Sequence, residues 1–166
     1  MSKFSLNAIG RATKMAVIGA IKSTGDTAGA IIAASRDVLL VTVDGVIKVA
    51  VAAEKGVTQI VTGAVDAASE MGEDVLMTIK SAVRGSVKGA SEVGADVGKI
   101  AVTATQEAIK AAGQVGVDAS EATRYAVTGA IEAADEIGGD AVKSVRDVLT
   151  TSVKGAKDVI KTPFKK

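Results

Sequence analysis

Three features of this 166-residue chain predict an all-α fold: a long amphipathic helix or helical hairpin built from seven 22-residue (2 × 11) repeats, packed laterally with other copies. The first is the repeat itself. VTGAVDAASEMGEDV at 61–75, VRGSVKGASEVGADV at 83–97, TQEAIKAAGQVGVDA at 105–119 and VTGAIEAADEIGGDA at 127–141 stand in register, 22 residues apart. The second is the length of that repeat. Eleven residues make three helical turns, so an apolar stripe with this period runs nearly straight along a helix. The third is bulk. Apolar residues are 48% of the chain and aromatic residues 2%, with 30 Ala and 24 Val against 5 Leu, and 18 Gly beside them. Side chains this small cannot fill an ordinary core at normal density. They suit helices whose backbones approach closely.

Taken in order, residues 1–16 form a basic segment, with Lys3, Arg11 and Lys14 and no acid. Its bulky cluster Phe4, Leu6 and Ile9 is a candidate set of surface anchors. Residues 17–162 form the repeat region, with units starting at 17, 39, 61, 83, 105, 127 and 149 and no insertion or deletion between them. Within a unit, charged residues fall at positions 6, 10, 14, 17 and 20, and apolar or small residues cover half the circumference or slightly more. Positions 4, 8 and 12 mark the centre of that apolar face. They read Ala64, Ala68, Gly72; Ser86, Ala90, Gly94; Ala108, Ala112, Gly116; and Ala130, Ala134, Gly138. Small residues at i, i+4 and i+8 make a groove into which a second helix can settle.

One stretch competes with the helical pattern. VLLVTVDGVIKVAVA at 38–52 is β-branched around Asp44-Gly45, a hairpin signal, but the repeat on both sides favours helix and makes this the most deeply buried segment. Residues 163–166 are a basic tail. Pro163 ends the last helix, and Phe164, Lys165 and Lys166 are further candidate anchors.

Glycine in a helix interior costs about 0.5–1 kcal/mol relative to Ala, so an isolated helix of this composition is weak and association must stabilise it. Unbroken from 17 to 161 it would be about 220 Å long. A chain of this size is expected to fold back at least once, with STGDTAGA (23–30) and IGGDA (137–141) as candidate hinges.

Charge is uneven although the total is +1. Residues 1–22 carry +4 and 157–166 carry +3, leaving −6 between them. Basic ends can meet an anionic membrane or the acidic middle of another copy. The absence of His and Cys removes imidazole acid–base chemistry, thiol chemistry and the usual transition-metal ligands, and Ser and Thr have no His partner. Glu70/Asp74, Glu92/Asp96 and Glu136/Asp140 read as carboxylates one turn apart on the polar face, neutralised along the helix by Lys88–Glu92, Asp96–Lys99 and Asp140–Lys143. No basic stripe with aromatic residues points to nucleic acid. The expectation is no enzyme, no cofactor, no metal and no small-molecule substrate. No segment has the uncharged length of a membrane span, and no secretory signal is expected.

The 11/22-residue pattern, and the stretch AVAAEKGVTQIVTGAV at 50–65 in particular, resembles the amphipathic helices of apolipoproteins, synucleins, lipid-droplet coat proteins and some late embryogenesis abundant proteins. Two functions follow. One is a structural protein that self-assembles through its small-residue faces into a bundle, filament or layer, with itself as partner. The other, which the resemblance implies, is a coat or remodelling protein on a membrane, lipid droplet or storage granule. The expected location is cytoplasmic, peripheral on a membrane or granule under the second reading.

Overall fold

Four times, at intervals of 22 residues, the chain carries a glycine followed two positions later by an aspartate, and it turns at each of these pairs. Gly94 has φ +75°, a conformation open to glycine at little cost, and Gly72, Gly116 and Gly138 repeat it. The backbone N–H beyond three of these glycines reaches back across the helix end: Glu73 to Ala68 O at 2.9 Å, Ala95 to Ala90 O at 2.9 Å, Val117 to Ala112 O at 2.8 Å. Asp74, Asp96 and Asp118 then cap the next helix, each carboxylate accepting from backbone N–H groups of the first turn at 2.9–3.2 Å. Asp140 stands at the same place without a side-chain cap bond.

The computed structural model describes residues 4, 6–23, 25–44 and 49–161. Among them are eight helices and no strand: α1 Ala8–Ser23, α2 Thr27–Val43, α3 Val49–Met71, α4 Val75–Glu92, α5 Val97–Gln114, α6 Ala119–Ile137, α7 Ala141–Ser152 and α8 Ala156–Lys161. None is long and apolar enough to cross a membrane. Each helix packs on its neighbour in sequence and on the helix two places along. The odd-numbered helices therefore form one layer and the even-numbered helices a second, a stack that grows in one direction as in helical repeat proteins.

Glycine sets the spacing within the layers. A Cβ on Gly85 of α4 would overlap the carbonyl oxygen of Ile32 in α2; Gly63 stands in the same relation to Gly10, and Gly129 to Lys80. These three contacts lie in the three most extensive helix pairs, α2–α4, α1–α3 and α4–α6. At the corresponding place in α5 stands Glu107, whose carboxylate accepts from the Thr62 hydroxyl at 3.0 Å, and the α3–α5 contact is smaller. Between the layers the core is Ala and Val with a few larger residues, among them Leu39, Ile60, Ile79, Ile100 and Leu149, all buried.

Several expectations are corrected here. The chain is not one long helix or a single hairpin; the unit reads as six continuous turns only if its Gly is placed inside a helix, and that Gly terminates one. The boundary at residue 16/17 falls inside α1. The spacing is not free of insertions either: from Asp26, which caps α2, to Asp74 is four residues more than two units, about one helical turn, and α3 has 23 residues where α4 and α5 have 18. The described parts of 38–52 are helical, but that stretch is not the most deeply buried, since Val41 is 78% and Val51 47% exposed.

Candidate functional site

The small-residue groove divides into two sets. Ala64, Ala68, Ser86, Ala90, Ala108, Ala112, Ala130 and Ala134 are fully buried inside the stack, so these faces meet other helices of the same chain. Gly72, Gly94, Gly116 and Gly138 are not in a groove. They sit at helix ends with φ of +69 to +82° and open space where a side chain would point. The residues that carry closest approach are Gly63, Gly85 and Gly129, one position before the alanines at 64, 86 (Ser) and 130. Their recurrence at position 3 of the unit was visible in the sequence.

The expected anchors are also redistributed. Phe4 is 9% exposed and packs with Leu6 and Ile9 on the main core, so this cluster turns inward rather than projecting as an anchor. Phe164, Lys165 and Lys166 lie outside the described residues.

Charged side chains mostly tie a helix to the one two places along. Lys14 pairs with Asp66 at 3.2 Å and Glu70 at 2.8 Å, Arg36 with Glu92 at 2.7 Å, and Lys99 with Glu54 at 3.5 Å. On α4 and α6, Lys80 and Arg84 flank Glu132, and Arg84 and Lys88 flank Glu136. The hydrogen bond that Lys14 donates to Glu70, followed by the one it donates to Asp66 and the attraction of both carboxylates, holds its ammonium above the ordinary pKa against the opposing loss of hydration. The carboxylate pairs do not share one polar helix face. Glu70, Glu92 and Glu136 bind cations of other helices, whereas Asp74, Asp96 and Asp140 lie across a turn at the next N-cap. Likewise Lys88 reaches Glu136 rather than Glu92, and Asp96 meets the Lys99 backbone N–H. Among the described residues, no group of three or more carboxylates could hold a metal ion.

No family model, curated protein or solved structure matches this chain.

The two ends of the stack differ. At the first end, α1 exposes Ala8, Ala12, Met15 and Gly19, spaced i, i+4, i+7 and i+11 along one face, with Met15 68% exposed and open space at Gly19. On α2 the same spacing gives Ala30, Ala34, Asp37 and Val41, half-buried to exposed. At the other end α7 presents Lys143, Ser144, Arg146, Asp147, Thr150 and Thr151. Beside it, a cleft of about 840 Å³ opens between α5, the start of α6 and the α7–α8 turn. Ile109, Val153 and Val159 form its apolar wall, and Arg124, Lys154 and Asp158 its charged rim.

Proposed function

We propose that this chain is a non-catalytic structural protein that self-assembles through the α1–α2 end of its helix stack. One observation carries the reading. Among the described residues every interior helix is packed on both sides within its layer, whereas α1 and α2 are packed on one side only and expose Ala8, Ala12, Met15, Gly19 and Val41 on the other. Repeat stacks need a polar outer face on the terminal unit to stay soluble alone. Here the exposed face of α7 is polar throughout, whereas the α1–α2 end mixes Ala8, Ala12, Met15, Gly19 and Val41 with Arg11, Lys22 and Asp37. Lateral association through the Ala64, Ala90 and Ala112 faces is no longer the route, because those faces are spent inside the chain.

Binding to a lipid surface is the second reading. Its support is the set of Gly-x-Asp turns, at which successive helices could swing apart and turn their Ala/Val faces outward. Sedimentation velocity over a wide concentration range, paired with flotation on anionic vesicles, separates the two. Reversible, lipid-independent association is the expected result. A chain that stays monomeric throughout and floats with vesicles overturns the self-assembly reading in favour of the coat.

A further inference from the structure

We propose that two copies join head to head, α1 of each lying antiparallel over α2 of the other, about a two-fold axis that runs along the helices. The proposal rests on the self-assembly reading and gives it a partner, a symmetry and a stopping point. Three observations converge on it.

The first is register. α1 and α2 form an antiparallel pair, and Val17 and Ile31 belong to one buried cluster, so residues of α1 are level with those of α2 counted back from the turn. Ala8, Ala12, Met15 and Gly19 thus stand within about one residue of the levels of Val41, Asp37, Ala34 and Ala30. A two-fold axis along the helices preserves these levels. It sets Met15 over Ala34 of the second copy and Val41 over Ala8, each large apolar side chain against a small one, and Gly19 over Ala30.

The second is charge. α1 carries Arg11, Lys14 and Lys22 and no acid; α2 with its two flanking residues carries Asp26, Asp37 and Asp44 against Arg36 alone. Lys14 is taken by α3, whereas Arg11 and Lys22 are exposed on the flank of the Ala8–Gly19 face. In the antiparallel pairing Arg11 comes level with Asp37 of the other copy, where Arg36 stands between Asp37 and Glu92 and leaves the group net acidic, and Lys22 comes level with Asp26. The alternative axis, across the helices, would set α1 on α1 and bring cation to cation.

The third is the opposite end. A head-to-tail contact would have to seat the apolar α1–α2 face on the polar face of α7, and such contacts propagate. The head-to-head contact uses the same face twice and closes at two chains.

Charge exchange tests this directly. Variant one is Arg11→Glu; variant two is Asp37→Lys. Both side chains are exposed, and circular dichroism verifies that each variant keeps its helix content. The wild type is expected to form a dimer of about twice 16.5 kDa and nothing larger in sedimentation equilibrium. Each variant alone should dissociate at least tenfold more readily, and an equimolar mixture should recover dimers, since one contact then joins the reversed α1 to the reversed α2 while the other keeps the original charges. Reversal of Lys143 and Arg146 at the other end should leave the dimer unchanged. Variants that dimerise like the wild type, a mixture that stays monomeric, or wild-type species larger than a dimer each overturn the head-to-head arrangement while leaving self-assembly standing. A wild type monomeric at every concentration overturns both.

Discussion

The same substitution, Gly to Ala, should have opposite signs at two helical positions of this chain. At Gly113, near the end of α5, a Cβ would meet nothing within 4 Å, so only the helix preference of Ala operates. Gly113→Ala should stabilise by about 0.5–1 kcal/mol. At Gly85 the added methyl group would overlap the Ile32 carbonyl oxygen, a backbone atom that cannot rotate away, with the Ser35 Cβ at 2.9 Å on its other side. α2 and α4 must part by roughly 0.5–1 Å. If on the order of 30 atom pairs along that face each forfeit a quarter to a half of about 0.15 kcal/mol, the loss is about 1–2 kcal/mol. Strain at the contact itself adds about 1–3 kcal/mol, as in other overpacked interiors, and the helix preference returns about 1 kcal/mol. The net expectation is about 1–4 kcal/mol of destabilisation. For a chain of this length that lowers Tm by roughly 2–15 °C, read by circular dichroism on thermal unfolding. A Gly85→Ala variant as stable as Gly113→Ala would refute the claim that glycine sets the layer spacing.

Further outcomes follow from the turns and the ion pairs. Gly94→Ala should cost about 1 kcal/mol despite the open space around it, because φ +75° strains any L side chain, and Gly94→Asn should cost less; chemical denaturation midpoints compare the two. Asp96→Ala should destabilise by about 1 kcal/mol, whereas Asp140→Ala, which removes no side-chain cap bond, should be near neutral by the same measurement. Lys14→Met should cost about 2 kcal/mol at neutral pH by leaving Asp66, 3% exposed at its side chain, without that cation. Because the folded-state pKa of Lys14 is raised, its contribution is complete below about 10.5 and is lost as pH climbs through the higher folded value. Wild-type Tm should therefore fall more steeply above pH 10.5 than that of the variant.

How much of this was legible can be judged at particular residues. The helical period, the all-helical class and the sorting of Ala64, Ala90, Ala112 and Ala134 to an apolar face could all be read from spacing, because burial imposes periodicity on side chains. The helix ends could not be read from periodicity. Gly serves both close approach and positive φ, and nothing in the letter at position 12 of the unit distinguishes them. The distinguishing signal lay two residues further on, in Asp74, Asp96, Asp118 and Asp140, which read as half of a carboxylate pair until their capping role is seen. The ion pairs were misassigned for a related reason. On a single helix only i,i+3 and i,i+4 partners are within reach, but folding the units into layers brings Arg36 to Glu92 and Lys88 to Glu136. The asymmetry of the two ends was invisible without knowing which helices lack a neighbour.

The central claim is that the repeat faces are consumed within the chain and that association is left to the α1–α2 end. Sedimentation velocity of the wild type beside a Met15→Glu/Val41→Glu variant addresses it most directly, since both side chains are largely exposed and their replacement leaves the interior untouched. Reversible association of the wild type, abolished in a variant of unchanged helix content, is the predicted result. Equal association of the two proteins, or none by the wild type at any concentration, would contradict it.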